Sequence, residues 1–534
     1  MAIRWVSNAG TDDLAAGRGE TEGDPWATHA HADTNTSDGD IINVTGATFV
    51  GELNGVSLLS ERTYGAPSRH ATVVLPNAGE ATRVARFSSG LAAADFPVEF
   101  RDMILDANAG QVTQCMDSGN DATGSPLIRV IGVWFRGDPS NYHFFHQYQR
   151  DRLEMLDCKV SGVLPLQFLL GSGSASGLAD QQYIIRDLEL VNLSCSVTSE
   201  VVRITKAAAG VNELKAIIDH IYGVVEWTTA ARTYKIVYIQ GADVAEVSGL
   251  DLVINADDTV SLDSFGIHIE GRDAGTITPL GTANRNVIEF NCPVGHAIGL
   301  GSSTDAWLTA AEANGNVLTG KYYAVATPHL LSLRDGVDGK AHGNILREGA
   351  ACLLISRCVD AAVTGNLIVD AYYAAILVKG ADQGHASYNI IVHTGKHTQR
   401  DVGLLSCQVQ LGQNTGGTAP FEYNENVVIV ADPASINKLA YVGDINQVIT
   451  YNRTTYILPD TYDPLTETDF GVVGVQDPAT LAQWNALAGN TAVNDDEILL
   501  LPQAVVTRLA NAHAIMAARA AGAGGGGGNS ILTI

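Results

Sequence analysis

Short aliphatic strands, each announced by an Asn or Asp turn, recur along this chain every 22–37 residues. The clearest copies begin at Asn286, Asn316, Asn344, Asn366, Asn389 and Asn426, each followed by Val, Leu or Ile. Weaker copies precede them, among them Gly249-Leu-Asp-Leu-Val-Ile and Arg186-Asp-Leu-Glu-Leu-Val. One turn-plus-strand unit cannot bury its own apolar face, but a stack of them can, so this period predicts a solenoid. Almost no helical periodicity lies between the units, which makes the expected solenoid a parallel β-helix.

Composition agrees. The chain has 534 residues, 55 of them Gly, and only 17% are charged, which suits strands and turns. The formal net charge of −26 repels DNA, RNA and anionic membranes, so neither a nucleic acid nor a membrane is an expected partner. An anionic glycan would have to meet a local basic patch. The 7 cysteines are scattered without metal spacing, and most sit inside apolar strands as small hydrophobes, in keeping with assembly in a reducing cytoplasm. No apolar segment follows Met1 in the manner of a secretion signal, and no stretch is long and apolar enough to span a membrane, so an extracellular role implies a non-secretory exit.

Three regions are expected: an N-terminal cap over 1–43, a parallel β-helix over 44–455 of which about twelve coils fall after Ile128, and a C-terminal assembly tail over 456–534. In the cap, Asp24 and Pro25 read as N-cap and first helical position. In the tail, Asp477-Pro478 to Gly489 reads as a short helix, and Pro502 to Ala521 as a second with an apolar stripe at Val505, Leu509, Ala512 and Met516. A Gly-rich leash and Ser530-Ile-Leu-Thr-Ile534 then suit strand addition to a neighbouring subunit.

The N-terminal pattern is more specific. Trp5-Val-Ser, a Gly/Asp/Thr-rich loop, Asp24-Pro-Trp-Ala-Thr28 and Gly39-Asp-Ile-Ile-Asn-Val44 together resemble the cap of pectate-lyase-like right-handed parallel β-helix proteins, including bacteriophage tailspikes. The resemblance covers about 50 residues closely and extends through the coil pattern to about residue 455. It implies the fold, a virion protein of tailspike or fibre type, a homotrimer and a bacterial surface polysaccharide as ligand. It transfers no catalytic residue, because the calcium-binding aspartates and the arginine of the lyases have no counterpart here; no cofactor is expected.

Candidate chemistry comes from a second register, apolar-x-apolar-x-Gly, at Val237–Gly241, Ile267–Gly271, Ile298–Gly301, Leu331–Gly336 and Ile376–Gly380. Alternation along a strand sends Ile267 and Ile269 inward and His268 and Glu270 outward. Stacking would then align Tyr238/Gln240, His268/Glu270, Gly299/Gly301, Ser332/Arg334 and Leu377/Lys379 in one exposed ladder. Tyr238, Gln240, Arg334 and Lys379 are the expected sugar-binding groups. Glu270 and Asp273 are the expected acid/base pair of a depolymerase, assisted by His268 and Arg272. The unremarkable alternative is a solvated strand face.

Further candidates are His29/His31/Asp33, the aromatic run Asn141–Tyr148, and the basic cluster His385, His393, Lys396, His397 and Arg400. Phosphate loops, dinucleotide fingerprints, Gly-x-Ser-x-Gly elbows and His-Glu-x-x-His motifs do not occur. The expectation is a virion protein, assembled in the host cytoplasm with other virion proteins and acting outside it, that binds and in one version cleaves a surface glycan. Its rivals are a purely structural virion component and a free polysaccharide lyase or hydrolase.

Overall fold

The computed structural model describes residues 2–523 except 16, 38, 51–52, 56–61, 77–82, 88–97, 108–113, 118–126, 140–142, 149–151, 165, 173–179, 197, 207–212, 230, 257–259, 272–279, 302–307, 324–327, 380–381, 398–406, 412–420, 437, 443–448, 466–469, 473–475, 481 and 484–495. The fold is a right-handed parallel β-helix with a helix near each end of the described chain. Its coils fall into two compact units, Met1–Val247 and Ser248–Ile534.

In the first unit each strand pairs in parallel with the strand one coil later. One such stack runs from Ile41–Val44 through Arg62–Gly65, Val98–Arg101, Ile128–Ile131 and Arg152–Leu156 to Asp180–Cys195 and Glu213–Trp227. Alternation puts like residues in register on the inside: Val98, Ile128, Leu153 and Tyr183 align in one row, Phe100, Val130, Met155 and Ile185 in the next, all fully buried. At the corner after this stack, Asp102, Gly132, Asp157, Asp187 and His220 take positive φ of 53–62°. The next residue then turns inward, so Met103, Val133, Cys158, Leu188 and Ile221 form an apolar row.

The N-terminal strand Ile3–Val6 pairs with Ile41–Val44, and Val6 bridges Trp26. Gly19 (φ 74°) lies under the Trp26 ring, where a Cβ would come within 2.6 Å of it. Helix α1 is His29–Thr34 with Thr28 as N-cap, its side chain accepting from the His31 N–H. The helix thus starts later than Asp24-Pro25 suggested, because Trp26 is held in the strand bridge and Asp24 accepts from Arg18 at 2.5 Å.

The second unit repeats the same corner with different chemistry. Gly249, Arg285, Gly315, Gly343, Gly365, Tyr388, Glu425 and Arg453 take φ of 54–65°. Behind six of them stand Asn286, Asn316, Asn344, Asn366, Asn389 and Asn426, all buried at 0–1% exposure. Each Oδ1 from Asn316 to Asn426 accepts both the backbone N–H and the side-chain N–H of the preceding coil's Asn, at 2.8–3.0 Å. The amides also donate to the carbonyls of Ala283, Ala313, Ala341, Val363 and Ala386. The Asn repeat of the sequence is therefore an internal ladder, with the turn made one residue earlier. Beside it runs an apolar row: Leu252, Ile288, Leu318, Leu346, Ile368, Ile391, Val428 and Tyr456.

Helix α2, Gln503–Ala523, packs on the outside of these strands. Its 21 residues span about 31 Å, enough to cross the six strands it touches, from Thr455–Pro459 back to Val317–Gly320. The buried stripe is Val506, Ala510 and Ala517 against Leu367, Val369, Val392 and Ile429, while Val505 is 45% exposed. Of the expected stripe, Leu509 does pack here, partly buried, but the fully buried positions lie one residue further on, because small alanines let the helix sit close to the sheet. Asp477 and Pro478 lie in a strand, Gln476–Ala479, paired antiparallel with Phe470–Val472, so the helical residues Ala482 and Gln483 come later than the expected start, with the Thr480 hydroxyl accepting the Gln483 N–H at 3.3 Å. The C-terminal leash and strand lie outside the described residues.

Candidate functional site

The second unit stacks Phe265–Glu270, His296–Leu300, His329–Val337, Ala351–Thr364 and Ala374–Lys379. Their register places His268, Gly299, Ser332, Leu354 and Leu377 in one row and Arg334, Ser356 and Lys379 in another. The sequence reading missed the Ala351–Thr364 coil, because Leu353-Leu-Ile-Ser-Arg357 lacks the terminal glycine of the register motif.

The first of these rows is buried, whereas Arg334, Ser356 and Lys379 of the second are partly exposed. His268 is 5% exposed, Glu270 7%, Ser332 0% and Leu377 1%. Alternation along the strand predicts which way a side chain points, but not whether other chain lies over it. The rings stack on one another: Phe265 on His268 with centroids 3.9 Å apart, Phe265 on His296 at 4.8 Å, and His296 on His329 at 4.7 Å. His268 Nε2 lies 3.2 Å from the Gly301 carbonyl and 3.5 Å from the Glu270 carboxylate. Arg334 Nη2 donates to His296 Nε2 at 2.8 Å.

Burial and neighbouring cations keep His296 and His329 neutral. His296 is held well below the usual imidazole range by burial and by Arg334, and His329 is pushed down to about 3 by burial, Arg334 and Lys379. Arg334 is lowered by burial despite nearby Asp263 and Asp335, and Lys379 by burial and by Arg334. Among the described residues no carboxylate lies within ion-pair distance of the Lys379 ammonium. Asp273 and Arg272 lie outside the described residues.

In the first unit, Tyr238 is 6% exposed. The Lys235 ammonium sits 3.4 Å from its ring centroid and the Arg203 guanidinium 5.4 Å away. Cations therefore occupy the ring face that a sugar would need. Gln240 is half-buried at the end of the same strand. A groove of about 300 Å³ in this unit is lined by Arg152, Glu154, Gln181, Gln182, Glu213 and Lys215. Part of its charge is already paired, Glu154 with Arg129 at 2.7 Å and Glu213 with Lys215 at 3.2 Å.

The basic cluster of the second unit divides. Lys396 pairs with Glu348 at 2.6 Å, and His397 lies 3.9 Å from Glu348 while stacking on Tyr322 at 4.6 Å. His393 instead meets Ser435 at 2.8 Å and lies 3.9 Å from Asp370. His385 sits apart on Asp382–Ser387, and Arg400 lies outside the described residues. Glu348, Asp370 and Ser435 carried no motif, since chain folding, not local spacing, brings them to the histidines.

Elsewhere, His29 packs on Tyr64 with ring centroids 4.8 Å apart, and Asp33 accepts from the Tyr64 hydroxyl at 2.6 Å, so this trio belongs to the core. Phe144 and Phe145 of the aromatic run are fully buried. The six described cysteines are free and buried, and burial pushes Cys158, Cys195, Cys352 and Cys358 up to about 12, which leaves them unreactive. Among the described residues no three metal-ligating side chains come together, and no helix is long and apolar enough to cross a membrane.

No family model matches this chain, and no curated protein matches it. Three solved structures are similar in fold. A GH136 lacto-N-biosidase from Eubacterium ramulus shares 12% identity at a TM-score of 0.32, over 80% of this chain and 67% of that one. The alginate lyase AlyF-OU02 in complex with G6 shares 11% at 0.26, over 88% and 93%. A PL6 alginate lyase in complex with a trisaccharide shares 11% at 0.24, over 93% and 96%. At these scores nothing of the chemistry of that biosidase or of those alginate lyases carries over to this chain.

Proposed function

We propose that this protein engages an acidic polysaccharide through the outward rows of its second unit, as a tailspike or fibre-like adhesin of a bacteriophage virion that meets a bacterial surface glycan. The observation that carries the proposal is Lys379: a half-buried ammonium beside Arg334, with no carboxylate within ion-pair distance among the described residues. A desolvated, unpaired cation costs free energy that a bound carboxylate or sulfate would return. In a chain of net charge −26 such a spot is where an anionic sugar is expected to dock. Arg334 and Lys379 lie two strands apart in register, about 10 Å, so they would contact separate points along an extended glycan. Support for the virion setting is the N-terminal cap sequence, and the trimer is part of that same proposal. Helix α2 contributes its buried stripe to its own coils, so subunit contacts would come from other surfaces.

Cleavage is a separate expectation resting on Glu270, with His268 at 3.5 Å. The test is size-exclusion chromatography of uronate-containing and neutral polysaccharides incubated with the protein. The expected result is co-elution with the acidic glycan, weakened by salt and by Lys379→Met, and shortening of the chains that Glu270→Gln abolishes. Intact acidic glycan without co-elution would leave a structural virion component as the better account.

A further inference from the structure

A corner of the second unit holds a constellation that the glycan-binding rows do not use. Ser435 ends the short turn Pro433–Ser435, and its Oγ lies 2.8 Å from His393 Nε2. On the other side of the ring, His393 Nδ1 makes no hydrogen bond and stands 3.9 Å from Asp370 Oδ1. Asp370 is itself fixed, accepting the Thr394 N–H at 2.7 Å and the Thr394 hydroxyl at 2.9 and 3.0 Å. His393 is 1% exposed, Asp370 4% and Ser435 8%. Desolvation holds the imidazole in its neutral form, opposed by Asp370 and Asp432 and reinforced by His397.

The Ser435 hydroxyl has a second acceptor, the Asp432 carbonyl at 2.6 Å. The hydroxyl carries one proton, so attack requires it to turn from that carbonyl to His393 Nε2, with the imidazole protonated at Nδ1 on the Asp370 side. The residues around Ser435 in the chain, Asp432, Pro433, Ala434 and Ile436, form one wall of a groove of about 400 Å³. Thr461, Tyr462 and Gln503 form the rest.

We propose that Ser435 is a nucleophile with His393 as its general base and Asp370 as the residue positioning that base, and that the groove accepts a short acyl ester carried on a sugar hydroxyl. Ser435 Oγ would attack the ester carbonyl as its proton passes to His393 Nε2. The sugar oxygen then leaves with that proton, and water drawn by the same imidazole releases the carboxylic acid and restores the serine. The 3.9 Å gap to Asp370 is of the looser kind seen before a substrate binds. The sugar as alcohol rests on the glycan proposal above; the ester chemistry does not.

The test treats the full chain with a fluorophosphonate probe and maps the adduct by peptide mass, alongside p-nitrophenyl acetate hydrolysis. One adduct on Ser435 is expected, with hydrolysis lowered about 1000-fold in Ser435→Ala. Asp370→Asn should lower kcat about 100-fold and move the acid limb of the pH profile to lower pH, because the carboxylate raises the imidazole's affinity for a proton. No adduct in the wild type, an adduct elsewhere, or an acid limb unmoved in Asp370→Asn would overturn the proposal. Neither reagent contains a sugar, so failure here is distinct from failure of glycan binding. Acetate release from an O-acetylated acidic polysaccharide, and none from its deacetylated form, would establish the sugar ester.

Discussion

The two units build the same corner from different side chains. In the first, the residue after the positive-φ turn is Met103, Val133, Cys158, Leu188 or Ile221; in the second it is a buried asparagine at six corners, flanked by Leu250 and Thr454 at the two ends. An apolar row is held by dispersion and the hydrophobic effect, tolerates any residue of suitable size, and leaves no period in the sequence. The Asn ladder is held by hydrogen bonds that run from coil to coil, and each member from Asn316 to Asn426 satisfies both a backbone and a side-chain donor of its neighbour. Its geometry admits one residue type, so it writes its spacing into the chain. The ladder stops at Thr454, whose buried hydroxyl makes no hydrogen bond while its N–H turns to Asp496 at 2.8 Å.

The comparison can be broken most forcefully at Asn344. Leucine there removes the acceptor for two Asn316 N–H groups and the donor to Ala313 O and Asn366 Oδ1, all in a dry interior. The expected loss is about 4 kcal/mol or more in urea unfolding, with hydrogen exchange rising first at the neighbouring asparagines. Leu188→Ala in the apolar row should cost about 3 kcal/mol through a cavity, with exchange rising in the first unit instead.

A smaller, pH-dependent effect belongs to the second unit. His329 folds with its pKa near 3, below its unfolded value, so its contribution is whole above about pH 6.5 and is lost as pH falls toward 3. Urea midpoints should drop over that window, and His329→Gln should flatten the drop. The smallest effect is expected at Tyr388, which occupies with φ 60° the turn position that Gly315, Gly343 and Gly365 fill elsewhere. Its side chain is 64% exposed, so Tyr388→Gly should raise stability by about 1 kcal/mol or less, read as a higher Tm.

This difference explains what the sequence made legible. The six Asn positions announced the fold, the coil period and the strand starts, whereas the coils before Gly249 were faint because apolar residues substitute freely for one another. The alignment of His268 with Gly299 and Ser332 was legible, since within the second unit the rows fall in register as alternation requires. Their burial was not, because alternation says nothing of what covers a face. The pairing of Ser435 with His393, 42 residues apart, was invisible because coil stacking makes it. Helix α2 was legible as an element but not in its fully buried positions, since the sheet selects alanines that a hydropathy pattern discounts.

The same contrast between units gives the most direct test of the proposed function. Lys235 in the first unit covers a tyrosine ring at 3.4 Å, whereas Lys379 in the second has no carboxylate within ion-pair distance among the described residues. Calorimetric titration of a uronate oligosaccharide into the wild type, Lys235→Met and Lys379→Met at low and physiological salt separates them. Lys379→Met should weaken Kd about tenfold, roughly 1.4 kcal/mol, and flatten the salt dependence, while Lys235→Met leaves both unchanged. Equal affinity in all three proteins, or a loss confined to Lys235→Met, would contradict the assignment of the acidic-glycan face to the second unit.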